Sequence, residues 1–362
     1  MGIGARWRSR AHRIGEQWTT WRSQWEVERD LEQAVSGSGP IVVGPWLSEV
    51  GYEVLYWVPF LRWVSAAYRV PASRFVILSR GGTESWYRDI GSRYVEIFDH
   101  IRADELVSMA GTRDSGLGTR DSKSVRQAVK QRTVSDLDVH LVSKAAQSLG
   151  LGDSVNVLHP SLMFRWFAPF WSGQETLGFV ERHTRHARIQ APEIDLPLSL
   201  PSEYVAVKFY GARSLPDDPF TRTQVRALTE ALSQQLPIVQ LDTGLSLDDH
   251  ADLRLPTGPR VMSIGGLVEP RTNLAVQTRI IAGARMLVGT CGSLSWLGPL
   301  LGVPTVPVFT DDSFLHAHLH VARRVYGRVG GGRFSPLDLT GLMAAGLTIG
   351  RAEAIAAETL RG

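Results

Sequence analysis

Three groups of residues in this chain have types and spacing that could do chemistry. The first is the turn Gly289, Thr290, Cys291, Gly292 and Ser293. It follows a wholly apolar run at 286–289 and precedes a helix-length apolar segment, 294–301, which Gly302 is placed to stop. Residues 304–309 return as a second apolar run, and such runs suit strands of a parallel sheet covered on both faces. Small residues and Gly292 allow a tight turn and close backbone approach. Free N–H groups and the positive helix end would then converge on the turn, which suits a phosphate.

The second group is Lys208 and its neighbours. It ends an apolar strand at 204–210, where a lysine is costly unless paired or reaching a ligand. A phosphate contact explains it, and so would a structural ion pair with Asp242. The third is Glu53, at the start of the helix after the first strand. A carboxylate there could take a proton from an attacking hydroxyl. It could equally do no more than stabilise a helix N-terminus. Glu49, four residues earlier, is the second candidate for the same work.

These groups need elements to hold them. Strands are expected at 204–210, 237–241 and 260–264, with a helix at 273–284 leading into the phosphate unit. Strand and helix alternate, as in a doubly wound parallel α/β domain, where ligands gather beyond the carboxyl ends of the strands. Lys208, Tyr210, Asp242, Ser263 and the 289–293 turn would share that edge.

The first half is expected to be α/β as well. A strand at 41–44 leads into a helix from Tyr52 to about Val64, bent at Pro59, which lacks a donor. A strand at 75–79 ends in Arg80, Gly81, Gly82 and Thr83, and another at 156–159 ends in His159. Residues 111–124 and 159–171 are read as loops. Pro192, Pro197 and Pro201 mark a hinge at 191–202, between domains at 37–190 and 203–349. An amphipathic helix at 1–36 precedes them and a helix at 350–362 follows. Two such domains leave a cleft between two sets of strand ends.

Composition sets bounds on these readings. A chain of 362 residues, 43% hydrophobic and 21% charged, has the make-up of a soluble two-domain protein. A single cysteine excludes an internal disulfide and fits a reducing, cytoplasmic compartment. No apolar run approaches the ~20 residues that span a bilayer. A net charge of +3 does not argue for nucleic acid. Residues 1–25 hold Arg6, Arg8, Arg10, Arg13 and Arg22 against Glu16. At about 100° per residue, Trp7, Ile14, Trp18, Trp21 and Trp25 fall on one face of a helix. Either an anionic membrane surface or a protein surface is expected to cover them.

The remaining candidates each have a plainer reading. Arg213, in the loop after Tyr210, could add charge or be solvated. Asn273 and Gln277 share a helix face and could hold a sugar or ribose, although Asn273 suits a helix cap. Cys291 could be a catalytic thiol but reads better as a small filler. His159 could shuttle a proton or be structural. The histidines at 316, 318 and 320 lack a carboxylate at ligand spacing, and Asp217, Asp218, Asp248 and Asp249 read as solvated loops, so no metal is expected. Neither GxGxxG nor a P-loop motif follows a leading strand, which speaks against a dehydrogenase or a P-loop kinase.

The segments SEVGYEVLYW, VAVKFY, NLAVQT and VGTCGSLSWLGPLLGVPTV, in that order, resemble bacterial surface-polysaccharide glycosyltransferase-like proteins. Over about residues 40–310 the pattern resembles GT-B sugar-nucleotide glycosyltransferases. It is similar to the heptosyltransferase branch at Gly51, Glu53 and Pro59, with Tyr52 inserted and Glu in place of the usual Asp. The resemblance implies two Rossmann-like domains facing a cleft and metal-independent transfer of a sugar from a nucleotide donor to a glycan or lipid-linked hydroxyl. Glu53 would be the base and Lys208 the phosphate-binding cation. Ser48, Tyr52, Arg80, Gly81, Gly82 and His159 would lie on the acceptor side. A nucleotide-sugar epimerase of the same architecture, or a non-catalytic scaffold that kept the fold, are the alternatives.

Overall fold

The structure, a computed structural model, describes residues 24–112, 131–152, 155–245 and 251–344. Trp7, Trp18 and Trp21 and the 350–362 helix therefore lie outside the described residues, as does most of the 111–124 loop.

Two parallel sheets organise the chain. The first holds β1 (Ile41–Val43), β2 (Phe75–Ser79), β3 (Arg93–Glu96) and β4 (Asn156–Leu158) in the order β3-β2-β1-β4. The second holds β5 (Val205–Lys208), β6 (Ile238–Gln240), β7 (Val261–Ser263), β8 (Met286–Thr290), β9 (Thr305–Phe309) and β10 (Leu337–Asp338) in the order β10-β9-β8-β5-β6-β7. Every pairing between these strands is parallel. The inner strands β1, β2, β8 and β9 are buried along their whole length, as helices on both faces demand.

The helix after β1 carries a local irregularity at the site. It opens as Val50–Tyr52, passes through a π-helical turn at Glu53–Trp57 and continues as Val58–Ala67. Pro59 cannot donate to Leu55 O, four residues back, and His186 Nε2 bonds that carbonyl at 2.9 Å. The carbonyl can only accept, so Nε2 donates. Burial pushes the imidazole down to about 4, and it stays neutral. His186→Ala should strand the Leu55 carbonyl and cost about 1–3 kcal/mol, read as a lower urea midpoint at unchanged slope.

The 159–171 segment, expected as a loop, is the helix Pro160–Trp171. Most of its side chains are buried, and Pro160 at its start and Pro169 within it read as breaks in the sequence although the helix accommodates both. Its Trp166, Phe167 and Phe164 join Trp46, Trp57 and Phe60 in an aromatic core, with Trp46 and Trp57 stacked at 5.7 Å. At the amino end, residues 24–35 are helical and bury Val27 and Leu31, while Trp25 stays 52% exposed beneath the Arg29 guanidinium.

The halves are docked through several specific contacts. Gly81 O, from the loop after β2, accepts from Leu274 N at 3.0 Å and Ala275 N at 2.9 Å. One half therefore caps the Asn273–Gly283 helix of the other. Asn273, expected to cap it, donates instead to Pro270 O at 2.7 Å. Trp86 Nε1 donates to Thr278 Oγ1 at 3.1 Å, and Tyr56 OH pairs with His318 Nδ1 at 2.8 Å. Gly51 lies so close to the 289–293 turn that a Cβ there would stand 3.1 Å from Ser293 N.

Candidate functional site

The carboxyl ends of both sheets face one cavity. Val50 follows β1, Arg80 follows β2, and Lys208 and Tyr210 stand at the end of β5. Thr243 and Leu245 follow β6, Asn273, Leu274 and Gln277 come from the helix after β7, and Ser293 and Leu294 follow β8. Asp252 completes the lining. The cavity holds about 60 Å³, room for a few waters or a small anion.

Lys208 is paired, and with a partner the sequence did not suggest. Its Nζ donates to Asp252 Oδ1 at 2.6 Å and to Leu241 O at 2.8 Å, and the side chain is 13% exposed. Asp252 Oδ2 also accepts from Thr243 N at 2.9 Å, which fixes the carboxylate in place. Asp242, the partner expected, lies elsewhere: it accepts from Ser263 Oγ at 2.5 Å. Asp242 and Ser263 thus bind each other at the tips of β6 and β7, beside the cavity and not in its lining.

Glu53 is wholly buried at the head of the π-helical turn. Its Oε1 accepts from Tyr87 OH at 2.5 Å and from Ser79 Oγ at 2.8 Å, while Oε2 has no partner among the described residues. Burial pushes the carboxyl up to about 7, against the pull of those two hydrogen bonds and of the nearby Arg80 charge. A carboxyl poised near neutrality suits proton transfer at physiological pH, although Glu53 does not itself line the cavity as Val50 and Arg80 do. Glu49, in contrast, is exposed on the turn before the helix.

Arg80 is 4% exposed and reaches Ser48 O through Nη2 at 3.1 Å. The amides of Gly81 and Gly82 do not face a ligand, since the Glu96 carboxylate takes both, at 3.0 and 2.8 Å. Gln277 Nε2 bonds Asn273 O at 3.1 Å and Oδ1 at 3.3 Å, so the two share a face of the cavity, as their spacing predicts. Gln277 Oε1 has no partner among the described residues.

The 289–293 turn is more committed to the protein than its sequence implies. Cys291 N donates to Val308 O at 2.8 Å, and the Thr290 hydroxyl both accepts from Tyr210 N and donates to Tyr210 O, each at 3.0 Å. Gly292 and Ser293 keep amides with no backbone partner among the described residues. The helix that follows spans only Leu294–Leu300. Burial pushes the Cys291 thiol far up, which suits a filler and not a nucleophile.

Other candidates fall outside the cavity. His159 caps the Pro160–Trp171 helix by accepting from Ser161 N at 3.1 Å, and its Nε2 stands 3.5 Å from Asp138 Oδ2. Tyr52 meets His318 Nε2 at 3.4 Å in the seam between the halves. Arg213 is half exposed over Phe314. Asp218 caps the Pro219–Gln235 helix, and Asp217 pairs with Arg222. Of the three alternating histidines, His318 faces the tyrosines while His316 pairs with Asp312 at 3.8 Å. Asp248 and Asp249 lie outside the described residues. Among the described residues, no three His, Cys, Asp or Glu side chains gather as a metal would require. No described helix is long and apolar enough to cross a membrane.

Among known proteins, no family profile and no curated protein matches the sequence. Solved structures do. The ADP-heptose lps heptosyltransferase II of E. coli matches with a TM-score of 0.47 and 13% identity, over 89% of this chain and 98% of that one. A glycosyl transferase family 9 protein of Veillonella parvula matches with a TM-score of 0.47 and 11% identity, over 89% and 97%. The UDP-GlcNAc 2-epimerase of Methanocaldococcus jannaschii matches with a TM-score of 0.31 and 9% identity, over 83% and 88%. The resemblance is one of fold. Each alignment runs over most of this chain.

Proposed function

We propose that the chain is a GT-B glycosyltransferase that moves a sugar from a nucleotide-diphosphate donor to a hydroxyl of a glycan or lipid-linked glycan, in surface polysaccharide synthesis. One observation carries the reading: the carboxyl edges of two parallel sheets meet at a cavity lined by Arg80 and Lys208, and the helix after β1 that reaches this cavity through Val50 holds a buried carboxyl raised to about 7. Parallel α/β sheets bind ligands at that edge, and the cations suit a departing diphosphate.

In this reading the nucleotide lies against the second sheet, near Thr243, Ser263 and Asn273. Glu53 Oε2 is unpartnered among the described residues and closed off here, so the acceptor hydroxyl reaches it once the site opens, and Glu53 then takes its proton as the oxygen attacks the anomeric carbon. The bond from that carbon to the diphosphate breaks, and the leaving charge is held by the Gly292 and Ser293 amides and the cations. A donor is far larger than about 60 Å³, and the cavity is open on one side, so part of the donor lies outside it. No metal ion takes part in this scheme. Trp25, with the tryptophans before it, offers a contact with the inner face of the membrane.

The test is thermal melting with uridine, guanosine, thymidine and adenosine diphosphates in the presence of a chelator. One of them is expected to raise the melting temperature in proportion to the logarithm of its concentration above Kd. No shift with any of the four would contradict the reading. Incubation of the matching sugar nucleotide alone then separates transfer from epimerisation, because an epimerase turns over without an acceptor.

A further inference from the structure

Two polar atoms of side chains that line the cavity are buried and have no partner among the described residues, one from each half of the molecule. Arg80 Nε, a donor, belongs to the loop after β2; Gln277 Oε1, an acceptor, belongs to the helix after β7. Both side chains are nearly inaccessible, at 4% and 2% exposure, and both line the cavity. A buried donor and acceptor left unmade are costly, and a buried cation without a counter-ion more so.

The charges of the cavity do not cancel. Asp252 neutralises Lys208 at 2.6 Å and is itself held by Thr243 N. Arg80 has no carboxylate oxygen within 4.0 Å among the described residues, and Nη2 donates to the Ser48 carbonyl. Glu53 feels the Arg80 charge, yet the hydrogen bonds it accepts come from Ser79 and Tyr87. The uncompensated positive charge in the lining is therefore that of Arg80, and not that of the lysine the sequence singles out.

Resting on the donor reading above, we infer that Arg80 is the oxyanion-binding residue of the cavity, gripping the donor diphosphate from the amino-terminal half. Its guanidinium meets a phosphate oxygen through Nε and the remaining nitrogen, a fork that suits phosphate better than an ammonium does. Gln277 Oε1 accepts from a hydroxyl of the same ligand. Arg80 and its Gly81 neighbour ride on one half while Gln277, Lys208 and Ser293 ride on the other. An anion bound between them draws the two halves together, and Arg80 acts as a clamp as well as a charge.

Inorganic pyrophosphate is the probe, followed by melting temperature and by calorimetry on the full chain. Wild type is expected to bind it. R80Q should weaken binding by about 10- to 100-fold, and R80K should fall between the two. Q277E, which leaves the β2 loop untouched and aims a carboxylate at the anion, should weaken it by at least about tenfold. Wild-type affinity for pyrophosphate retained in R80Q would overturn the inference, as would a wild type that ignores pyrophosphate. Should R80Q not fold, unchanged affinity in Q277E and R80K would overturn it equally. A nucleoside diphosphate bound as tightly by R80Q as by wild type would remove Arg80 from the site and leave the nucleotide reading standing. Pyrophosphate binding lost in R80Q, with no nucleotide bound by wild type, would support the anion site and sink the nucleotide reading.

Discussion

Glu53→Gln is expected to lower sugar transfer by about 10²- to 10⁴-fold while the protein remains folded. Gln keeps an oxygen to accept from Ser79 and Tyr87 and loses only the ability to take a proton. Stability gives the control. The folded carboxyl titrates near 7, above its ordinary 4.5, so the folded state holds the proton more tightly than the unfolded chain. The stability this confers is complete below about 4.5 and is lost as pH rises through about 7, a change of about 3 kcal/mol for a shift of this size. In E53Q that slope should vanish, so the variant gains on wild type as pH rises from 5 to 8. Denaturant melts at a series of pH values read the slope, and initial transfer rates read the activity. Transfer in wild type should rise with an apparent pKa near 7 as the carboxylate forms. An E53Q variant that is stable and still transfers at the wild-type rate would remove Glu53 from the chemistry.

Gly289→Ala should destabilise the chain by about 3 kcal/mol or more, enough to lose much of its folded population on warming. A Cβ at Gly289 would stand within van der Waals overlap of the Lys208 carbonyl oxygen across the β5–β8 pairing. Both neighbours are backbone in the centre of a sheet, so neither can turn aside. The glycine therefore serves strand packing and not approach to a ligand. Relief would move Lys208, which shares that register with Gly289, away from Asp252. Melting temperature and soluble yield of G289A measure the effect. An alanine variant as stable as wild type would show that the two strands part readily there.

Much of this arrangement could be read in the sequence. The central strands announce themselves as continuous apolar runs, because a parallel strand is buried on both faces. β3 does not: Arg93 and Tyr94 lie on an edge, and its four residues show neither a run nor a clean alternation. The Pro160–Trp171 helix escaped for another reason: Pro160 and Pro169 read as breaks, although one opens the helix and the other sits inside it. At the site, strand ends were legible and pairings were not. Nothing local to Lys208 points to Asp252, 44 residues on, when Asp242 stands at the nearer strand end. The same holds for Gly81 capping a helix in the other half and for His186 serving the carbonyl that Pro59 leaves unbonded. Such contacts join elements far apart in the chain, and residue type fixes what can bond but not with whom.

The most direct measurement is a crystal structure of the full chain with the nucleoside diphosphate that raises its melting temperature most. The diphosphate should lie between the carboxyl edges of the two sheets, with Arg80 on one side and the Gly292 and Ser293 amides on the other, each within hydrogen-bond distance. Density for the nucleotide anywhere else, with Arg80 still bonded only to Ser48 O, would contradict the account.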